Sequence, residues 1–284
     1  MINSNIKLLF GTVIYKSAWK YHQEFANSLN MQSDSQFEVL VINDDVGESQ
    51  VLELKKLISR NVTVVPKPHN MSIAALRVFL LSKAKQMGYD LLILGDFDDT
   101  FSANRVSEVL DEYDDTFGFY YNPIYTFSGR TVFHNLPGTL NSYVDILEHN
   151  FLGLSNTAID LKQLDMAFIE SLSEGETPVF DWYLYTRIML KGMQGKLVEN
   201  ASTYYRVHEN NIAGLETQEE ADILKEIEVK KQHYSLLKSY TSLLQKKYSQ
   251  YQSFAKEDYR CFLCGSQNGY WWEKIQLKEQ KENV

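Results

Sequence analysis

Residues 91–100 read Leu91-Leu92-Ile93-Leu94-Gly95-Asp96-Phe97-Asp98-Asp99-Thr100. Four apolar residues bounded by glycine and acids are the pattern of a short strand buried on both faces, as in parallel sheets. Ligands of open α/β sheets bind beyond the carboxyl ends of the strands, where Asp96, Asp98 and Asp99 fall. In extended backbone, residues two apart share a face, so Asp96 and Asp98 are expected to converge on one ligand while Phe97 turns away. Carboxylates this close repel one another unless something positive joins them. A hard divalent cation takes oxygen ligands and bridges to phosphate, so the stretch points to chemistry on a phosphorylated substrate. The plainer reading is a set of acids in a solvated turn.

Working outward, strand-like and helix-like segments alternate through the first 120 residues. Residues 7–14, 37–42 and 62–65 pattern as strands, the second ending in Asn43-Asp44-Asp45. Residues 19–29, 50–58, 73–87 and 105–110 pattern as helices, with Ser72 an N-cap for the third. This interleaving predicts βαβ units and a mainly parallel sheet flanked by helices. Asp44 and Asp45 then end a strand on the same ligand edge as Asp96, although Asn-Asp-Asp-Val-Gly is also good turn chemistry. Beyond residue 117 the pattern is less regular. Strands are expected over 117–121, 150–159 and 196–207, and helices over 161–172 and 182–190, the last closed by Gly192.

Residues 216–254 contain neither proline nor glycine. Apolar and aromatic side chains recur there in steps of four and three from Ile223 to Tyr251, an imperfect heptad seam. A domain over 1–214 and a helical C-terminal extension over 215–284 are therefore expected. The extension either packs back on its own domain or pairs two copies into a homodimer. Tyr270-Trp271-Trp272, near Lys274 and Lys278, reads as tail-to-core packing, with contact to a membrane interface as the alternative.

Acids outnumber Lys and Arg by 37 to 28, a net charge of −9, which argues against a nucleic-acid surface. Tyr is the commonest aromatic, 18 against 15 Phe and 4 Trp, which suits packing and also sugar-facing surfaces. No leader peptide and no apolar run of about 20 residues is apparent, so a cytoplasmic protein is expected. Cys261 and Cys264 form a single C-x-x-C without the second pair of a structural zinc site. They read as structural or incidental thiols, ahead of a redox pair or a metal shared between subunits.

A hydrophobic run closing in Asp-Phe-Asp-Asp-Thr also begins haloacid-dehalogenase-type phosphatases, whose first Asp is a phosphoryl nucleophile. Here about 90 residues of βαβ pattern come first, and no later strand ends in the acidic pair such enzymes need. From residue 7 to 214 the chain resembles the family 2 glycosyltransferases. The resemblance rests on Asn27-Ser28-Leu29-Asn30-Met31-Gln32 before the strand ending at Asp44-Asp45, then on Asn70-Met71-Ser72-Ile73-Ala74-Ala75-Leu76-Arg77. It continues through Asp96-Phe97-Asp98-Asp99, Phe180-Asp181-Trp182 with Arg187 and Gly192, and Tyr205-Arg206-Val207-His208-Glu209-Asn210-Asn211.

The resemblance implies the GT-A fold and transfer of a sugar, with inversion, from a nucleotide-sugar, UDP-linked by preference. The acceptor would be a hydroxyl of a glycan in surface polysaccharide synthesis, lipid-linked acceptors bringing the enzyme to the inner face of the membrane. Asp44 or Asp45 would hold base and ribose, Arg77 would reach the diphosphate, and Asp96 and Asp98 would place Mg2+ or Mn2+. Asp181 would be the general base, and Arg206 and His208 would close over the metal–diphosphate. Trp182 would either stack on a sugar ring or fill the core. Three departures stand out: Val13-Ile14-Tyr15-Lys16 keeps only the tyrosine of Pro-x-Tyr-Asn, Val46-Gly47 replaces Gly-Ser, and Phe180 stands where Glu is common. A domain that binds nucleotide-sugar without turnover remains the other competitor.

Overall fold

The computed structural model describes residues 6–174, 177–207, 220–253, 262–264 and 268–277. The first half alternates β1 (Leu8–Tyr15), α1 (His22–Asn30), β2 (Phe37–Asp44), α2 (Glu48–Leu57), β3 (Val62–Pro66), α3 (Ile73–Gln86) and β4 (Leu91–Leu94). Then come β5 (Thr100–Phe101), α4 (Arg105–Asp111), β6 (Phe117–Tyr121), β7 (Ile124–Thr126) and β8 (Thr139–Leu140). The remainder holds β9 (Thr157–Asp160), α5 (Met166–Ser171), α6 (Phe180–Leu190), β10 (Gln194–Leu197), β11 (Thr203–Tyr205), α7 (Glu220–Leu237) and α8 (Ser242–Gln252). A short antiparallel pair, β12 (Phe262–Cys264) and β13 (Ile275–Leu277), follows.

Eight strands form one sheet in the order β3-β2-β1-β4-β9-β6-β10-β8. β1, β2, β3 and β4 are mutually parallel, and β6 pairs in parallel with β10. β9 and β8 run against their neighbours. The middle of the sheet is buried on both faces because β1, β4 and most of β2 are apolar on both sides. Leu8 and Phe10 of β1 face a cluster with Phe25, Phe97 and Phe101, while Leu9 faces the cluster that holds Leu80, Leu92 and Trp182. The strand order reverses direction beside β1, where β2 and β4 lie on opposite sides, and this makes the β1/β4 carboxyl ends a switch-point crevice. β5, β11 and β7 form a small second sheet.

The mainly parallel sheet flanked by helices agrees with the sequence reading, but several expected elements differ. The strand expected over 150–159 is only β9, preceded by a 3-10 turn over Leu154–Asn156. Side-chain amides take the backbone groups there. Asn156 binds the Asn122 and Phe151 carbonyls and the Gly153 N–H, and Asn150 ties to Leu152. The strand expected over 196–207 splits into β10 and β11, which belong to different sheets. The helix expected over 161–172 begins only at Met166, where the Asp165 carboxylate caps it by accepting from Phe168 N.

Although residues 216–254 hold no proline or glycine, the helical extension is broken between α7 and α8. Thr241 caps α8 by accepting from Leu244 N at 3.2 Å. Tyr234, Leu237, Leu244 and Tyr251, four of the seam positions, are fully buried within the chain. Beneath them Lys230 is wholly buried, pairing with Glu226 at 3.2 Å and Glu148 at 3.5 Å, and Tyr251 donates to Glu148. Among the described residues no helix is long and apolar enough to cross a membrane.

Candidate active site

A cavity of about 470 Å³ opens at the switch point, and Tyr15, Asp44, Arg77, Asp96, Asp98 and Asp181 are all among the residues that line it. The acidic segment after β4 is a turn, not the extended segment expected from the sequence. Asp99 N donates to Asp96 O at 3.2 Å, and Phe97 at the turn is buried against the Phe25 ring, 4.6 Å between centroids. Asp96 and Asp98 both still reach the cavity. Asp99 points inward, accepting from Ser155 Oγ at 2.5 Å and from Arg206 N at 2.9 Å. Ser155 in turn accepts from Asp96 N at 3.2 Å, so one hydroxyl joins both acids.

Burial pushes the carboxyls of Asp96 and Asp99 up, and repulsion from the neighbouring acids adds to the rise. The compensating charge under the turn is Arg105, a residue the sequence reading left as an ordinary helix position. It is fully buried at the start of α4 and donates to the Leu94 carbonyl at 2.7 Å and to Asn122 Oδ1 at 3.1 Å. Burial lowers its pKa to about 9, against the attraction of Asp99. An arginine six residues after an acidic strand end was the available signal.

Asp44 and Asp45 differ in placement. Asp44 lines the cavity, whereas Asp45 is not among its wall residues and sits in the left-handed region at φ 64°. The Asp45 side chain is 65% exposed against 27% for Asp44. Lys67, just after β3, pairs with both, and its hydrogen bond holds the Asp45 carboxyl below its usual range. Tyr15 reaches over from β1, its hydroxyl 3.5 Å from Asp98 Oδ2. Burial, then the nearby acids, raise the Tyr15 pKa, so it stays a neutral donor.

Asp181 stands in the first turn of α6 and accepts from Trp182 N at 2.7 Å. Burial raises its pKa to about 6, against the pull of Arg77 on α3 and the Trp182 N–H. Among the described residues Arg77 makes no hydrogen bond or ion pair, so its guanidinium is available to an anion in the cavity. Trp182 is fully buried, donates Nε1 to the Ile146 carbonyl at 2.8 Å and stacks on His233 at 3.9 Å. It is a core residue and does not offer a face to a sugar.

Arg206 lies on the cavity wall between two rings, 4.1 Å from each of Tyr21 and Phe127. Its Nε donates to the Asp98 carbonyl at 2.9 Å and its other end pairs with Glu24. The guanidinium thus clamps the chain after β11 onto the acidic turn. His208 lies outside the described residues, as does Cys261. Two further wall residues, Trp271 and Trp272, come from the C-terminal tail, which the sequence reading assigned to core packing or a membrane face.

The sequence of residues 11–161, more than half of the chain, matches the model of the glycosyl transferase family 2. The chain belongs to that family. A comparison with curated proteins finds no match. Among solved structures, this family 2 glycosyltransferase is similar to TarS 1-349 of S. aureus in complex with UDP-GlcNAc. That match has a TM-score of 0.61 at 15% identity and covers 89% of this chain and 74% of that one. A mannosyltransferase of Pyrobaculum calidifontis in complex with GDP-Man and Mn2+ matches at TM-score 0.56 and 13% identity, over 89% of this chain and 71% of that one. GalNAc-T7 with UDP, GalNAc and Mn2+ matches at TM-score 0.55 and 12% identity, over 90% and 56%. These likenesses establish a shared GT-A architecture. Membership also replaces the phosphatase reading of the Asp96-x-Asp98 turn.

Proposed function

We propose that this family 2 member is an inverting glycosyltransferase that moves a sugar from a nucleotide diphosphate donor, UDP-linked by preference, to a hydroxyl of a glycan acceptor in surface polysaccharide synthesis. One observation carries the reading: a single cavity at the β1/β4 switch point is shared by Asp44, Arg77, Asp96, Asp98 and Asp181. Two of the three neighbours named above were captured with uridine nucleotides, which supports the donor.

Asp44 at the end of β2 is suited to accept hydrogen bonds from the nucleoside, and Arg77 to pair with the diphosphate. Asp96 and Asp98 supply a hard, all-oxygen donor set, and burial has raised the proton affinity of Asp96; such a set suits a divalent cation. Among the described residues no third Asp, Glu, His or Cys joins them in one cluster, so diphosphate oxygens would complete the shell. Mg2+ or Mn2+ held there would offset the charge that develops on the departing diphosphate. Asp181, ionised at pH 7 with a pKa near 6, takes the proton of the acceptor hydroxyl. That oxygen bonds to the anomeric carbon from the face opposite the breaking carbon–oxygen bond, and the diphosphate leaves.

The test is calorimetric titration of UDP and of GDP, each with and without Mn2+, followed by turnover of UDP-sugars in the presence of glycan acceptors. UDP binding strengthened by Mn2+ is expected. Absence of binding by either nucleotide in both conditions would remove the donor reading.

A further inference from the structure

We propose that Arg206, oriented by Glu24, is a positioning residue for the metal-binding acid Asp98 and does not serve as a ligand of the diphosphate. This rests on the glycosyltransferase reading and adds to it the support behind one of the two metal acids. Two observations carry it. First, Arg206 is bonded to the backbone on which Asp98 stands. On one side of Asp98, Asp96 N donates to Ser155 Oγ at 3.2 Å. On the other, the Asp99 carboxylate accepts from the Ser155 hydroxyl and from Arg206 N at 2.9 Å. The carbonyl of Asp98 itself accepts from Arg206 Nε, also at 2.9 Å. One residue thus fixes the turn at 98 through its guanidinium and at 99 through its amide. A metal-binding carboxylate must be held to within about 0.5 Å, so the bond to the Asp98 carbonyl bears directly on the cation.

Second, the guanidinium is held by three further groups. The Tyr21 and Phe127 rings each lie 4.1 Å from it, and Glu24 pairs with Nη2. Tyr21 and Glu24, three residues apart at the start of α1, supply two of these contacts. The Glu24 side chain is 51% exposed, and an ion pair so open to water adds little stability. Its effect is directional. A guanidinium is planar, so a carboxylate on one end and two rings against it keep Nε aimed at the Asp98 carbonyl. An arginine committed in this way is poorly placed to pair with a diphosphate. Arg77, on the wall of the same cavity, makes no hydrogen bond or ion pair among the described residues and is the cation left for that task.

The experiment is calorimetric titration of UDP into the full chain, with and without Mn2+, for wild type, Arg206→Gln, Glu24→Ala and Glu24→Gln. Wild type should bind UDP more tightly with Mn2+. Arg206→Gln should lose about tenfold of that gain, the low end of the cost of removing a group that orients a metal ligand, with metal-free UDP affinity within about twofold. Glu24→Ala, at a residue outside the cavity wall, should lose about threefold of the same gain, the size of one modest hydrogen bond. Glu24→Gln still offers Arg206 an oxygen and should recover most of the loss. If Arg206→Gln does not fold, Glu24→Ala decides the matter alone.

Three results would overturn the assignment. Metal-free UDP binding weakened several-fold in Arg206→Gln would make Arg206 a diphosphate ligand. Tighter UDP binding by Glu24→Ala would make Glu24 a competitor for the same guanidinium. An unchanged Mn2+ gain in either variant would remove the hold on Asp98. Wild type that gains nothing from Mn2+ would strike the metal reading, and this assignment with it.

Discussion

Ser155 donates its hydroxyl hydrogen to the buried carboxylate of Asp99 at 2.5 Å. The same oxygen receives Asp96 N, so the 3-10 turn before β9 is fastened to the acidic turn after β4. Asp99 also accepts Arg206 N, which makes it an anchor for three segments while Asp96 and Asp98 face the cavity. Removing the acceptor should therefore loosen the site from below. Asp99→Ala is expected to destabilise the fold by about 2–4 kcal/mol in urea unfolding, since two buried donors lose their partner. Asp99→Asn, which keeps one acceptor oxygen and no charge to bury, should cost under about 1 kcal/mol. Equal losses in the two variants would refute the anchoring role.

Asp181 links acidity to both rate and stability. Its pKa is raised from 3.8 to about 6, chiefly by burial. The base works only when ionised, so kcat/KM should fall tenfold per pH unit below about 6. The folded pKa exceeds the unfolded one, so the stabilising contribution of the bound proton is complete below 3.8 and is lost as pH rises through about 6. Asp181→Asn should then raise stability at pH 7 by on the order of 1–3 kcal/mol while lowering kcat by about 100-fold or more. A destabilised variant would contradict the burial argument; retained turnover would remove the base.

Metal dependence should be located at the acidic turn. Chelation with EDTA is expected to lower transfer by about 100-fold, the scale of losing one charge-stabilising group at the leaving diphosphate, with recovery on adding Mn2+. Asp98→Ala should abolish the gain in UDP affinity that Mn2+ gives the wild type. A variant whose UDP affinity still responds fully to Mn2+ would move the metal elsewhere.

The two neighbouring acids at the end of β2 should separate cleanly. Asp44 lines the cavity and Asp45 does not, so Asp44→Ala should weaken UDP about tenfold, and Asp45→Ala by less than about twofold. The reverse ranking, read by calorimetry, would show that the wrong acid has been placed against the nucleoside.

Gly95 between strand and acids is a packing requirement. A β-carbon there would lie 2.5 Å from the Phe101 ring and 2.6 Å from the Phe10 ring, both buried. Gly95→Ala should cost about 1–3 kcal/mol by overpacking, measured by urea unfolding. Wild-type stability would mean that the rings can move aside.

The acidic part of the cavity was legible because it is local. A strand of four apolar residues announces itself, and its trailing acids fall at the ligand edge wherever the strand sits in a parallel sheet. Asp44, Arg77 and Asp181 reached the same cavity for the same reason: each sits at the end or in the early turns of an element whose pattern is plain in the sequence. Residues whose position depends on distant partners were not legible. Trp271 enters the cavity because Asn150, 121 positions earlier, pairs with its backbone. Trp182 turns into the core because Ile146 and His233 claim its ring. The break between α7 and α8 has no proline or glycine to mark it, only a threonine whose hydroxyl competes for the backbone at residue 244. Arg105 looked like an ordinary helix surface residue until the buried acids above it gave it a charge to balance.

Because the backbone of residue 271 is laced to residue 150, the wall of the pocket is completed only after the last part of the chain has been made. A polypeptide clipped short of that tryptophan would keep Asp44, Arg77, Asp96, Asp98 and Asp181 and lose part of the wall that they share. Quality control of preparations should therefore read the last residues by mass.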